Sequence, residues 1–354
     1  MSRPPRSRGL RLAWLALAAV TAACGPAATP GPEGTDEPPL FAYVSPDPLG
    51  VNPFLILGQT GIEQAASKHG ARTLVLESED PTSREENVRA AIAEGASLVL
   101  VLGFEFGDVI PRAARESPEV EFLIVDQCID DPPENVHCAV FKEYESAFLI
   151  GAAAAELSAT GHVGVIGALD IPFLHRYTEG FTLGARHVNP EIEVSVLWVG
   201  GASPFSDPVR AKEQALAMAA GGADYVLAAA GGGNFGIFEA ARERGFATFG
   251  IDVNQCPEAP GVVVDNMLKR VDLVIGEAVD AILAGPGQAG RPGQVLEYGL
   301  AEHGVGLVAL SDDDPASSQC RILEHPRVLD RLRDLERKIV AGEIRIEDPM
   351  FAER

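Results

Sequence analysis

From Leu40 onward, short continuous runs of apolar and β-branched residues alternate with longer amphipathic segments, and the series runs through twice. Runs of this kind without polar interruption suit strands buried on both faces. The first series predicts strands over 40–45, 72–78, 97–103, 121–126 and 136–141, with helices over 54–69, 83–94 and 108–115. The second predicts helices over 143–158, 175–188, 208–220 and 235–244, and strands over 162–168, 193–200, 225–230 and 247–252. Beyond these come a strand over 262–265, a helix over 269–283, short strands near 294–299 and 306–310, and a charged helix over 326–341. Strand–helix alternation implies an α/β class, because parallel strands need a crossover at every connection and a helix supplies it. Two such units leave a cleft between their sheets. Ligands of open α/β sheets bind beyond the carboxyl ends of the strands. The loops at 45–54, 103–108, 125–127, 168–173, 200–207, 229–236 and 250–255 are therefore the cleft candidates.

The residues before Leu40 build no core. Arg3, Arg6, Arg8 and Arg11 precede an apolar run over 12–20, and Thr21-Ala22-Ala23 precede Cys24. A basic start, a short apolar stretch and small residues describe a secretory signal over 1–23. The apolar run is far shorter than the roughly 20 residues a membrane span needs. Cys24, directly after the small residues, resembles the lipobox of bacterial lipoproteins, whose thiol is acylated and becomes the new N-terminus. Thr21 stands where such motifs usually carry Leu, and the alternative is an ordinary signal peptide. The Pro/Gly-rich stretch 24–39 reads as a flexible tether. The expected address is the extracytoplasmic face of a membrane, with lipid as the anchor. Removing 1–23 removes four arginines and no acids, so a formal charge of −23 becomes −27. Nucleic acid is a poor partner for such a chain, since neutralising phosphate takes clustered Lys and Arg.

Four cysteines remain in the exported part, and an even number there permits disulfides. Cys128 and Cys138 flank a short polar turn between two predicted strands, and Cys256 with Cys320 is the complementary pair. Free buried thiols are the alternative. Neither a CxxC nor a metal-like Cys/His spacing occurs, and no metal is expected.

GGGNFG (231–236) has the form GxGxxG, with Asp252 about twenty residues on, which taken alone is the dinucleotide fingerprint. It sits at the third strand–helix turn of its unit rather than the first, in a chain routed to where nicotinamide cofactors are scarce. The glycines are better read as letting backbone N–H groups approach a small ligand at a helix N-terminus. No cofactor is expected. Motifs for catalysis (GxSxG, HExxH, a Walker lysine) are absent, and the seven histidines are scattered, so no catalytic residue is assigned. Phe54, Phe104, Phe106, Phe173, Phe205 and Phe235 lie in or beside the cleft loops, where aromatic faces stack flat ligands; plugging the sheet ends is the other use for them. Lys269, placed at a helix start, is either a solvated cation or points back into the cleft toward Asp252.

The stretches 141–190, 200–255 (GGASPFSDP…GGGNFG…GIDVNQ) and 262–279 (VVVDNMLKRVDLVIGEAV) resemble the basic membrane protein family of solute-binding lipoproteins, receptors of ABC importers that include purine nucleoside receptors. The resemblance implies a type I periplasmic binding protein: two Rossmann-like lobes with parallel sheets joined by a three-strand hinge. On that pattern 40–141 is the first part of lobe 1, 142–255 is lobe 2, and 256–354 returns to lobe 1 and ends in the C-terminal helix. It implies a base stacked between Phe54 and Phe205, ribose held by Asp252 and Lys269, and Gly232 in the glycine loop over the ligand. Asp126 and Phe104 match cleft positions of the first lobe. The family's first loop usually carries an acidic DxSFN-type segment; here it reads SPDPLGVNPF, with Asp47 and Asn52 as its polar candidates. NPF is also similar to ribose- and galactose-type sugar-binding proteins, so nucleoside and sugar both stay open. The expected protein is a monomeric, non-enzymatic receptor that hands a small ligand to an importer permease. A sensing receptor and an exported nucleoside hydrolase are the rivals.

Overall fold

The computed structural model describes residues 37–285, 295–311 and 315–351. The signal segment 1–23, Cys24 and nearly all of the 24–39 tether lie outside the described residues. β1 (Leu40–Ser45) is buried along its whole length between β2 (Arg72–Glu77) and β3 (Ala96–Leu102). β4 (Glu121–Val125) and β5 (Val136–Phe141) extend the sheet, and β11 (Val295–Tyr298) closes it beside β5. The order is β2-β1-β3-β4-β5-β11, and every pair is parallel. The second sheet repeats the plan with β6 (His162–Gly167), β7 (Glu193–Trp198), β8 (Tyr225–Ala229), β9 (Ala247–Gly250), β10 (Val263–Lys269) and β12 (Val305–Leu307). Its order is β7-β6-β8-β9-β10-β12, parallel except for β12, which runs antiparallel to β10.

Helices α1 (Pro53–His69), α2 (Pro81–Ala93) and α3 (Ile110–Glu116) connect the first lobe's strands; α4 (Glu143–Leu157), α5 (His175–Val188), α6 (Pro208–Ala220) and α7 (Asn234–Arg244) serve the second. Their starts follow local chemistry. Asn52 caps α1 by accepting from Phe54 N at 3.2 Å with Pro53 at the first helical position, and Asp80 and Ser83 form a reciprocal capping box on α2. In the second lobe α4 and α5 pack almost backbone to backbone: a Cβ at Gly151 would strike the Phe181 carbonyl, and one at Gly184 the Phe148 carbonyl.

The expected return to lobe 1 over 256–354 needs correction. The strand expected to stop at Asp265 continues to Lys269, because Asn266 sits opposite Gly250 of β9 and 267–269 pair with 305–307. β10 therefore belongs to the second sheet. Among the described residues of this stretch, α8 (Val271–Leu283), packed on α1, and β11 are the elements that join the first lobe; β12 and α9 (Pro326–Val340), packed on α4, return to the second. The lobes are thus joined by three crossovers, β5 to α4, β10 to α8 and β11 to β12. Backbone bonds tie them together: Lys142 N donates to Tyr298 O at 3.0 Å and Arg270 N to Gly304 O at 2.8 Å. Cys128 is bonded to Cys138, and Cys256 to Cys320, with Cα separations of 5.3 and 5.2 Å. Among the described residues no helix is long and apolar enough to cross a membrane.

Candidate ligand-binding cleft

In each sheet the chain reverses its direction of growth next to the central strand, at β1/β3 and at β6/β8. Such switch points leave a crevice at the carboxyl ends of the strands. The loops that leave these four strands carry Asn52, Phe54 and Phe104 on one side and Phe173 and Gly231 on the other. They enclose a space of about 630 Å³, counting the part open to solvent. At its mouth Phe104 of the first lobe and Phe205 of the second have ring centroids 6.5 Å apart.

The centre of the site is Lys269, the last residue of β10 rather than the first of a helix. A strand that continues to its carboxyl end delivers this side chain into the cleft. It is 4% exposed, and Asp126, Asp252 and Glu143 beside it are 5%, 5% and 0% exposed. The ammonium bonds Asp126 Oδ1, stands 2.8 Å from Glu143 Oε1 and reaches the Tyr177 hydroxyl at 3.3 Å. The Glu143 contact is an ion pair poorly aligned for a hydrogen bond. Aromatic rings box in the same charge, with centroids at 5.0 Å for Phe54, 4.9 Å for Phe141, 5.3 Å for Phe173 and 5.8 Å for Tyr177. Ring faces carry partial negative charge, so they add to the carboxylates. Burial opposes the charge of Lys269, but Asp126, Glu143 and Asp252 outweigh it and hold its pKa well above the ordinary value.

The carboxylates respond in the opposite way. Burial pushes Asp126 above the usual carboxylate range, with Lys269 acting against it. Asp252 is pushed up to about 6 for the same reason. Both residues adopt left-handed backbone, φ +90° for Asp126 and +69° for Asp252. Such conformations, costly for most side chains, cluster where function holds them. The Asp252 carbonyl accepts from Lys269 N at 3.0 Å, while among the described residues no donor reaches its carboxylate, which faces the cavity.

Of the residues singled out in the sequence, Asp47, Asn52, Phe54, Phe104, Asp126, Phe205, Asp252 and Lys269 line this one cavity. Gly232 lines the outer mouth instead, and its neighbour Gly231, in left-handed backbone at φ +56°, takes the inner place. Phe54 lies beside the Lys269 ammonium, whereas the ring neighbour of Phe205 is Phe104. Asp47 is engaged by Arg84 Nη2 at 3.1 Å.

Sequence reasoning missed Glu105, Phe141, Glu143, Arg176 and Tyr177. Glu143 and Phe141 flank the expected lobe boundary at 141/142, so an acid at a crossover was a readable signal. Arg176 and Tyr177 carry none, because only the docking of α5 turns them inward. Arg176 Nη1 approaches Glu143 Oε2 at 3.4 Å, and Arg176 also holds Asp348 near the C-terminus.

Comparison with known proteins bears on the fold and the family. The family model for ABC transporter substrate-binding proteins of the PnrA-like type matches residues 41–348. The ABC transporter nucleoside-binding protein BmpA of Lactococcus lactis subsp. cremoris is 30% identical over 318 residues, covering 83% of this chain and 88% of that protein. The CD4+ T-cell-stimulating antigen of Listeria innocua is 27% identical over 291 residues, covering 77% and 76%. The fold matches a solute-binding protein of an ABC transporter system from Aeropyrum pernix K1, with a TM-score of 0.76 at 23% identity over 88% of this chain and 94% of the other. It also matches a Caulobacter myo-inositol binding protein, with a TM-score of 0.59 at 16% identity over 78% and 95%. The chain belongs to the PnrA-like family of ABC transporter substrate-binding proteins.

Proposed function

We propose that this protein captures a nucleoside between its lobes and presents it to an importer permease, held to the membrane by lipid on Cys24. The observation that carries the reading is the pairing of an unanswered carboxylate, Asp252, with a caged ammonium, Lys269, at one end of an aromatic-lined cleft. Adjacent hydroxyls of a ribose are donors and acceptors at once. A carboxylate and an ammonium side by side satisfy both, with charge-assisted bonds. Phe54, Phe104, Phe173 and Phe205 offer faces for a flat base, with Asn52 and Asp126 as polar neighbours. The similarity to a nucleoside-binding relative points the same way.

The mechanism is closure. Glu143 and Lys269 sit at two of the three crossovers, so rotation about the hinge moves the lobes around a fixed polar centre. No bond is made or broken in this reading. A pentose would use the same hydroxyl grip but leave the aromatic faces at the mouth idle. Native mass spectrometry of the purified protein, followed by calorimetry over nucleosides and pentoses, tests the reading. An intact nucleoside bound tightly is expected; a bound free sugar, or release of base and ribose from the added nucleoside, refutes it.

A further inference from the structure

Glu105 is an acidic group of the cleft that no side chain among the described residues answers with an ion pair. It borders both the inner cavity and the mouth, whereas Asp126, Asp252 and Lys269 line only the inner part. Its position is built. The carboxylate folds back over Gly103, whose φ is +90° and where any Cβ would collide with Oε2, and it accepts from its own backbone N–H. A side chain at position 103 would evict it. The neighbouring acids are already engaged: Asp47 by Arg84, which also donates from Nε to Pro46 O at 2.8 Å, Asp126 by Lys269, and Glu143 by Lys269 and Arg176. Burial pushes Glu105 up to about 7, with Arg84 acting against this and Asp47 adding to it. A half-buried carboxylate answered, among the described residues, only by its own backbone N–H is costly unless a ligand supplies a further donor.

The residue before it, Phe104, neighbours Phe205 across the mouth, with ring centroids 6.5 Å apart. Glu105 follows Phe104 in the chain and lines the same cavity and mouth, which puts its carboxylate among the groups that a flat ring at these faces would meet. We infer that Glu105 reads the base of the ligand by accepting from two adjacent N–H groups, which selects nucleosides of the guanine class. The inference rests on the nucleoside reading above. A carboxylate offers two acceptors and no donor. Guanine presents N1–H and the N2 amino group side by side and matches it in bidentate fashion. Adenine and cytosine each place a ring-nitrogen acceptor beside their amino group, and that acceptor would oppose an oxygen. Uracil presents a single N–H between two carbonyls. Discrimination of this kind comes from what the wrong partner leaves unpaired.

The test is calorimetric titration of the full chain and its Glu105→Gln variant with guanosine and with adenosine at pH 8, where the carboxyl is ionised. The wild type is expected to favour guanosine by at least about tenfold, and Glu105→Gln to weaken guanosine by about 10- to 100-fold. Adenosine is expected to bind the variant as well as or better than the wild type, because an amide offers one donor and one acceptor. Unchanged guanosine affinity in the variant, or equal losses for both nucleosides, overturns the role of Glu105 and leaves the receptor reading standing. A wild type that binds another nucleoside but not guanosine overturns the inference alone, and one that binds none of guanosine, adenosine, cytidine and uridine overturns both.

Discussion

Glu143 and Lys269 belong to different crossovers between the lobes, yet their charged ends stand 2.8 Å apart in the interior. The ammonium therefore has two tasks: it faces the cavity, and it neutralises the carboxylates on which the hinge region is built. Asp252 has only the first, since its carboxylate meets no donor among the described residues.

Replacing these two residues should separate ligand binding from stability. Lys269→Met leaves Asp126 buried without its cation and Glu143 with Arg176 alone, and should lower the stability of the ligand-free protein by about 3–5 kcal/mol. Asp252→Asn should leave the ligand-free melting temperature within a few degrees of wild type, while removing the stabilisation that ligand confers. Thermal melts with and without nucleoside read both effects. Equal ligand-free melting temperatures for the two variants would show that Lys269 is not the hub of the buried charges.

Asp348, far along the chain, supports the same centre. Its carboxylate accepts from Arg176 Nε at 2.9 and 3.1 Å and from Nη2 at 2.5 Å, and Arg176 in turn approaches Glu143. Burial opposes the Arg176 charge, but Glu143 and Asp348 outweigh it. Asp348→Ala should cost about 2 kcal/mol in chemical denaturation, the scale of charge-assisted bonds. It should also weaken ligand binding by about tenfold, since Glu143 loses its outer support. Unchanged affinity with lowered stability would confine Asp348 to a structural role.

Stability should rise as the pH falls from 8 toward 5.5. Asp252, Glu105 and Asp265 are carboxyls that burial raises to about 6, 7 and 7, so the folded state holds protons that the unfolded state has released in this window. Where the folded state binds more protons, stability falls as pH rises. The penalty is fully present above the raised pKa values and vanishes below the ordinary carboxylate range. At still lower pH, Asp280 and Asp334, held below the usual range chiefly by Lys68 and Lys338, lose their contribution and the trend reverses. Melting temperatures of the ligand-free protein across pH 4–8 check this; a monotonic rise toward pH 8 would contradict it.

Much of the cleft was legible because strand ends in an α/β fold must point into it. Asn52, Phe54, Phe104, Phe205 and Asp252 could be chosen from loop position alone. Lys269 could be chosen only with an ambiguous orientation, since a strand of four residues and one of seven give it opposite surroundings. The extension to Lys269 depends on pairing of Asn266 with β9 and of 267–269 with β12, which local pattern does not contain. Glu105 carries no sequence signal, because nothing local reveals that Gly103 makes room for its carboxylate.

The order of elements, the α/β class, the division into two lobes and the set of cleft loops follow from the sequence by itself. They rest on periodicity, turn residues and caps, each decided within a few positions along the chain. Tertiary structure alone decided which sheet receives β10, β11 and β12, and which charges meet. Lys269, Asp126, Glu143, Arg176 and Asp348 come from distant segments, and their contacts exist only once three crossovers bring the lobes together. Buried charges tolerate little displacement, so the partner of each is set by the packing around it, which no single segment carries.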